Sequence, residues 1–370
     1  TTRNGSSLIA FAVPEKEWKG FGIIASHSDS PCFKLKETAQ MQVEKNYTKL
    51  NVESYGGMIM SSWLDRPLSV AGRVVIKEGE RIKTRLVNID RDLLIIPNLA
   101  IHMQRGINDG YRFNPQIDLL PLLGSGEVDF QEFLAQETKV AKEDILSSDL
   151  FLYPRVEGTF FGAENEFIAS PRLDDLQCVF ASLSAFLQSE NVQNVRVLAV
   201  FDNEEVGSGT KQGADSTFLS DVLTRLNDAL GNTTEDYRCA LANSMMLSAD
   251  NAHAVHPNFP EKTDPTCKNY LNHGVVIKFN ANQKYTTDAL SAGKFKMICD
   301  SAKIPYQIFH NRSDMPGGST LGNISTAHVS IDTVDIGIPQ LAMHSAVETA
   351  GAEDTAYMQN AMIAFYNAIL

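Results

Sequence analysis

Two adjacent carboxylates, Glu204 and Glu205, stand between an apolar stretch and a glycine-rich turn, and no other residues of the sequence are better placed for chemistry. The apolar residues 195–201 predict a strand. A parallel strand that ends in acids directs them into the crevice at the carboxyl edge of its sheet. Because neighbouring carboxylates repel each other, they persist mainly where a cation lies between them or where one of them holds a proton.

Other stretches of the chain also end in side chains that can bind a metal ion. An apolar strand ends at His27, and Asp29 can accept a hydrogen bond from the second ring nitrogen of that histidine and fix its tautomer. The remaining candidates, each at the end or start of a predicted element, are Asp174, Asp175, Asp250 and His344. Two histidines with several carboxylates make the ligand set of a paired divalent site. Mixed nitrogen and oxygen ligation favours zinc, with manganese or cobalt as substitutes.

Each of these motifs also has an ordinary structural explanation. A lone His-x-Asp is more often a surface pair or a core histidine with its hydrogen bonds satisfied. Asp174 and Asp175 fit the N-cap and the first-turn acid of a helix, and Glu204 with Glu205 fits a solvated loop. The coincidence of five such ends in one chain favours the metal site.

The bulk properties bound the class of protein. The chain has 370 residues, of which 43% are hydrophobic and 21% charged, and its formal net charge is −13. This composition is ordinary for a soluble globular protein, and an acidic chain without a basic cluster argues against nucleic acid as a partner. No apolar run is long enough for a membrane span, and the amino end has no signal pattern. Five scattered cysteines indicate reduced thiols in a cytoplasmic protein.

The positions of the candidate ligands predict a discontinuous catalytic domain. His27 lies near the start and the others lie after residue 170, so we expect a catalytic domain at 1–45 and 159–370 with residues 46–158 inserted. Alternating polar and apolar residues in the insertion indicate antiparallel strands, with a loop at 124–126 and a short helix over 128–136. Beyond residue 160, strands alternate with amphipathic helices at 176–187, 217–230, 288–302 and 356–370. The predicted fold class is α/β, with a helix-covered, mixed but largely parallel sheet and an inserted mostly-β domain.

The order and wording of the motifs resemble one known family, the aspartyl aminopeptidases, over essentially the whole chain. The strings that carry the resemblance are His27-Ser28-Asp29-Ser30-Pro31-Cys32, Tyr55-Gly56-Gly57, Trp63-Leu64-Asp65-Arg66-Pro67-Leu68, Pro97-Asn98-Leu99-Ala100-Ile101-His102, Asp202-Asn203-Glu204-Glu205-Val206-Gly207-Ser208, Ala252-His253-Ala254-Val255-His256-Pro257-Asn258 and Gly317-Gly318-Ser319-Thr320. The resemblance implies the fold of the zinc exopeptidases and the removal of an amino-terminal residue, with a preference for Asp or Glu.

The resemblance also assigns roles at the metal site. It implies two divalent ions, with His27 and Asp250 binding one, Glu205 and His344 the other, and Asp174 bridging both. Glu204 is then the general base. It takes a proton from a water molecule between the two ions, which leaves a hydroxide. Asp29 does not bind an ion but accepts a hydrogen bond from the ring of His27. Since two ions that share a carboxylate lower the pKa of a bridging water, this assignment agrees with the physical interpretation of the residues.

Substrate recognition is implied by the same resemblance. Lys278 matches the position that faces the acidic side chain of the substrate, although pattern alone would make it a lysine on the polar face of a strand. His253 and His256 are expected to contact substrate or to orient Asp250, and His102 to reach the active site of a neighbouring subunit. The implied partners are peptides with a free amino terminus and further copies of the chain, in a large assembly built from dimers, a dodecamer by resemblance, with the inserted domain pairing subunits and covering the site.

Some departures from the family pattern leave alternatives open. The chain starts at Thr1 without the family's amino-terminal segment, so we expect a truncated start, and Ala346-Val347-Glu348 stands where the family often has Ile-Arg-Glu. One alternative is a neutral-residue aminopeptidase or another two-metal hydrolase of the same fold. Another is a metal-binding protein that assembles but catalyses nothing.

Overall fold

A computed structural model describes residues 1–15, 17–190 and 193–369. The chain forms two compact units. Unit 1 comprises residues 1–30, 158–343 and 348–370, and unit 2 comprises residues 31–157 and 344–347. The predicted first boundary at residue 45 therefore lies too late, because residues 32–43 form a strand that pairs within unit 2.

Unit 1 contains two sheets. Its strands are β1 (Thr2–Arg3), β2 (Ser7–Ala12), β3 (Phe21–His27), β10 (Thr159–Phe161), β11 (Phe167–Ser170), β12 (Val195–Phe201), β13 (Met245–Ala249), β14 (Ala252–His253), β15 (Val275–Phe279), β16 (Tyr306–His310), β17 (Asp332–Gly337), β18 (Pro339–Leu341) and β19 (Glu348–Gly351). The larger sheet has eight strands in the order β1-β2-β12-β3-β13-β17-β15-β16. Its central pairs, β12 with β3, β3 with β13 and β13 with β17, are parallel. The antiparallel pairs lie towards its two ends, while β15 and β16 form a further parallel pair. The predicted mixed, largely parallel sheet is therefore confirmed.

Helices cover both faces of the eight-stranded sheet. The helices of unit 1 are α3 (Leu173–Gln188), α4 (Phe218–Ala229), α5 (Thr234–Ala242), α6 (Ala289–Ala302), α7 (Leu321–Ser325) and α8 (Asp354–Asn367). Strand β3 is buried along its whole length, as expected for a strand covered on both faces. Ile24 packs with α3, α6 and α8, whereas Ile23 packs with α4 and α5, because successive side chains of a strand point to opposite faces. The sequence had not predicted α5, which begins with a capping box between Thr233 and Asp236.

The smaller sheet of unit 1 has five strands in the order β10-β11-β19-β18-β14. Ser170, the last residue of β11, lies opposite Glu348 of β19. Helix α3 begins three residues later at Leu173, so this pairing fixes the approach of the chain to Asp174.

Unit 2 is built on one antiparallel sheet of six strands. They are β4 (Cys32–Val43), β5 (Tyr47–Tyr55), β6 (Leu68–Glu78), β7 (Arg81–Asn88), β8 (Leu122–Ser125) and β9 (Ile145–Pro154), in the order β7-β6-β9-β4-β5-β8. Its helices are α1 (Pro115–Asp118) and α2 (Phe130–Thr138). The prediction of antiparallel strands in this segment is confirmed, and β6 pairs with β7 from Ala71 to Glu78. The prediction of a loop at 124–126 is wrong for Gly124 and Ser125, which belong to β8.

Short 3-10 helices lie at Met60–Trp63, Lys142–Asp144, Glu204–Val206 and Pro260–Lys262. All five cysteines lie among the described residues, and none of them is joined in a disulfide. Among the described helices, none has the length and apolarity that a bilayer crossing demands.

Candidate metal centre

The carboxyl end of β3 carries the central residue of the site. His27 is the last residue of this strand and is 1% exposed. Its Nε2 atom lies 3.6 Å from Oδ1 of Asp174 and 3.9 Å from Oδ1 of Asp250, while Nδ1 lies 3.4 Å from Oδ1 of Asp29. One ring nitrogen thus faces two carboxylates and the other faces a third. The carboxylates of Asp174, Asp250 and Asp29 raise the pKa of His27 well above its usual value, although burial by itself would lower it.

Asp174 is held in place by its own main chain. It is 3% exposed and has extended rather than helical backbone angles at the start of α3, followed by a cis peptide bond to Asp175. Its N–H donates to Oε2 of Glu348 at 3.0 Å, and its carbonyl accepts from Oγ of Ser30 at 2.8 Å. A buried carboxylate and a half-buried hydroxyl therefore hold the main chain of Asp174 from its two sides.

The Glu204–Glu205 pair follows β12, the parallel neighbour of β3. Phe201, the last residue of β12, lies opposite His27, so the turn that follows comes beside the histidine. The main-chain N–H groups of Glu204 and Glu205 donate to Oδ1 and Oδ2 of Asp29, each at 3.1 Å. The carboxylate of Asp29 thus serves two strand ends, whereas the sequence had predicted only its contact with His27.

The protonation of Glu204 is shifted by its surroundings. Burial, together with Asp250, Asp174 and Asp29, raises the pKa of Glu204 to about 7, against a lowering effect of His27. A carboxyl group with this pKa exchanges protons readily near neutral pH, which suits a general base.

Asp250 follows β13, and Lys278 lies beside it. The Lys278 ammonium is 3.5 Å from Oδ2 of Asp250 and donates to the carbonyl of Asn251 at 2.8 Å. Lys278 is only 2% exposed. Burial would lower its pKa, but the charges of Asp250, Tyr285, Asp335 and Asp174 together outweigh this effect and raise the pKa of Lys278. The cation is therefore held against a predicted ligand.

The described residues include two groups of unit 1 side chains whose donor atoms all lie within 4.8 Å of one another. One group is His27, Asp174 and Asp250, and the other is His27, Glu204 and Glu205. An imidazole with carboxylates is a donor set that zinc accepts. In addition, the side chains of several acidic residues besides Glu348 share this region with the buried ammonium of Lys278. They are Asp29, Asp174, Asp175, Glu204, Glu205 and Asp250. Because buried like charges are costly without a cation, the residues present fit divalent metal ions.

The other predicted site residues lie outside these two groups. His253 is exposed, with its ring 6.3 Å from that of Phe309, and Nδ1 of His256 accepts from the N–H of Asn258 at 3.2 Å. His102 is exposed in a stretch of turns in unit 2. His344 belongs to the segment 344–347 that is grouped with unit 2, and its backbone has a positive φ of 65°. The roles predicted for these four histidines stay predictions.

Sequence reasoning missed two buried residues that contact the site. Glu348 accepts from Asp174, and Asn251 directly follows Asp250. The sequence signals were the position of Asn251 next to a candidate ligand and the presence of the acid Glu348 directly after the apolar pair Ala346-Val347.

Comparison with known proteins agrees with this geometry. The family model for aminopeptidase I zinc metalloproteases (M18) matches residues 1–366. A probable M18 family aminopeptidase 2 from Clostridium acetobutylicum is 48% identical over 375 residues, which cover 99% of this chain and 87% of that protein. Among solved structures, Ape4 in its complex with Nbr1 matches with a TM-score of 0.94 and 37% identity, covering 99% of this chain and 75% of that one. The S. cerevisiae mApe1 dodecamer matches with a TM-score of 0.83 and 27% identity, covering 99% and 83% of the respective chains.

Proposed function

Because this chain belongs to the M18 family of zinc aminopeptidases, we propose that it removes the first residue, Asp or Glu in preference, from peptides with a free amino terminus. The single observation that carries the proposal is the convergence of His27, Asp174 and Asp250 within 4.8 Å of one another at the carboxyl end of the sheet. The proposal assigns Asp250 and His27 to one divalent ion, Glu205 and His344 to a second, and Asp174 to both.

Bound zinc supplies Lewis acidity, which polarises the scissile carbonyl and lowers the pKa of water. The residues of the chain supply the proton transfers. Glu204 accepts the proton of the attacking water and delivers it to the leaving amine. Asp29 holds the main chain of Glu204 and Glu205. It thereby keeps the base at a fixed distance from His27.

The preference for acidic residues rests on Lys278. Its ammonium is a cation beside Asp250, and a chain of net charge −13 attracts acidic peptides only through such local groups. A second candidate is an aminopeptidase without acidic preference. One observation favours it, because Lys278 is 2% exposed and already donates to the carbonyl of Asn251.

A substrate panel separates the two candidates. Hydrolysis of chromogenic amides of Asp, Glu, Leu and Ala is measured with and without a chelator, then after addition of zinc, manganese or cobalt. We expect chelator-sensitive cleavage with Asp and Glu the best substrates. Faster cleavage of the Leu or Ala amides would contradict the acidic preference but would still agree with a metal-dependent aminopeptidase.

Glu204→Gln tests the base. It should lower kcat by about 10²-fold or more while leaving the zinc content unchanged. A variant of full activity would exclude Glu204 as the base, and no chelator-sensitive hydrolysis of any substrate by the parent protein would contradict the enzymatic function.

We also propose that the chain works as a homo-oligomer built from dimers. The support is its likeness to the mApe1 dodecamer, together with exposed apolar residues such as Ile82 and Leu86 in β7 of unit 2. A solution mass equal to one subunit, measured by light scattering, would contradict this proposal.

A further inference from the structure

Asn251 is a buried amide that directly follows the predicted ligand Asp250. It is 2% exposed. Its Nδ2 atom has three acceptors within reach, Oε1 of Gln340 at 2.8 Å, the carbonyl of Leu173 at 3.1 Å and Oε1 of Gln177 at 3.2 Å. Its Oδ1 atom accepts from Sγ of Cys178 at 3.3 Å. Both ends of the amide are therefore engaged, although no part of it belongs to the metal-binding groups.

The contacts of Asn251 join the segments that carry two predicted ligands. Leu173 directly precedes Asp174, so the hydrogen bond to its carbonyl holds the peptide that leads into that aspartate. Asp250 directly precedes Asn251 on the other segment. One side chain thus ties the end of β13 to the start of α3, and Gln340 anchors the same amide to β18.

The main chain of Asn251 is also fixed. Its carbonyl accepts from the Lys278 ammonium at 2.8 Å. Gly337 lies against the same stretch, and a Cβ atom at that position would come within 2.2 Å of the Asp250 carbonyl oxygen. The main chain at Asp250 and Asn251 therefore has little freedom to move.

We propose that Asn251 is a positioning residue, which sets the spacing between the carboxylates of Asp174 and Asp250 to that required by a divalent ion. This inference rests on the ligand set of the proposed function. Groups behind metal ligands orient them, and their loss commonly weakens metal binding by about 10–100-fold. In contrast, a buried amide with a purely structural role would change stability and leave metal affinity as it was.

The test compares Asn251→Leu with a matched control, Asn227→Leu. Asn227 is 1% exposed, and its Nδ2 donates to the carbonyls of Asn232 and Thr233 in the turn between α4 and α5. Zinc affinity is measured by competition with a chromogenic chelator, and the thermal unfolding of both metal-free variants is recorded. We expect Asn251→Leu to bind zinc about 10–100-fold more weakly, while Asn227→Leu loses stability and keeps its zinc affinity.

Two further variants make every outcome decisive. If Asn251→Leu does not fold, Gln340→Met removes one acceptor of the same amide, and we expect a smaller but measurable loss of zinc affinity. Unchanged affinity in the folded variant of this pair would overturn the positioning role. Asp174→Asn checks the ligand set itself. If Asp174→Asn binds zinc as tightly as the parent protein, the ligand assignment is wrong and the proposal for Asn251 is wrong with it. If Asp174→Asn loses zinc, the ligand assignment stands, and the Asn251 variants then test the positioning role by itself.

Discussion

The eight-stranded sheet of unit 1 and the six-stranded sheet of unit 2 use their residues differently. The central strands of the first are parallel, so their carboxyl ends lie at one edge. There, His27 ends β3, and Glu204 and Asp250 follow β12 and β13. The second is antiparallel, so its strand ends alternate between two edges. Among the described residues, no part of 31–157 contributes to a group of three side chains that can hold a metal ion. The parallel strands thus bring several candidate ligands to one edge, whereas the antiparallel sheet, in the described part of the chain, does not.

The two sheets also differ in how far their strands are buried. Strand β3 is buried throughout, and its polar terminus is buried with it. In β7, by contrast, Ile82 and Leu86 are 71% and 83% exposed. Buried polar groups require specific partners. Substitutions at the polar strand ends of the first sheet should therefore lower activity, whereas substitutions in the second sheet should mainly alter stability or subunit association.

The largest expected difference lies between two aspartates, one from each sheet region. Asp174→Asn removes a predicted ligand and should lower both zinc affinity and hydrolysis by about 10²-fold or more. The control is Asp149→Asn in β9, where Asp149 pairs with Lys34 and Arg73 at the surface. It should leave zinc affinity unchanged and alter the free energy of unfolding by about 0–1 kcal/mol. Equal zinc affinities in the two variants would contradict the functional contrast.

The pH dependence of hydrolysis sharpens the description of the first region. Glu204 acts as a base only when it has lost its proton, so kcat/KM should fall as the pH falls through its pKa. That pKa is about 7 in the metal-free site, and a nearby divalent cation lowers it towards the ordinary value of about 4.3. We therefore expect the acid limb between pH of about 4.3 and 7, in assays that monitor the zinc content at each pH. A constant kcat/KM across this window would exclude Glu204 as the group that titrates.

The smallest effect is expected at Leu86 in the second sheet, and the buried Leu68 of the same sheet serves as its comparison. Leu68 of β6 is fully buried, whereas Leu86 of β7 is 83% exposed. Leu68→Ala should lower the free energy of unfolding by about 2–5 kcal/mol, because it leaves a cavity in the core of unit 2. Leu86→Ala should change it by no more than about 0.5 kcal/mol. Chemical denaturation at a low protein concentration measures both, and a large loss for Leu86→Ala would reveal that this side chain is covered in solution.

Much of the fold could be predicted because its signals are local. The apolar runs that form β3 and β12 end at the residues that the sequence marked, His27 and Phe201. Helices α3, α4, α6 and α8 appear where amphipathic spacing placed them, within a few residues at each end. Helix α5 was missed although Thr233 and Asp236 form its capping box, because its apolar face is weak and only Ala240 is buried.

The contacts behind the candidate ligands could not be predicted, because they join distant parts of the chain. The hydrogen bond from Asp174 to Glu348 spans 174 residues, and that from Asn251 to Gln340 spans 89. The clamp of Asp29 on Glu204 and Glu205 depends on the parallel pairing of β3 with β12, which no pattern in either strand specifies. The first unit boundary failed for the same reason, since the pairing of β4 with β9 decides it.

That pairing also determines how easily the inserted segment could be exchanged. Strand β4 begins one residue after Pro31, β9 ends three residues before Glu157, and Lys34 lies opposite Phe151 on the neighbouring strand. The segment 31–157 therefore enters and leaves on adjacent strands, in the manner of a long hairpin. Insertions of this kind are modular, because a different domain, or a linker of a few residues, can close the same gap without stretching the chain.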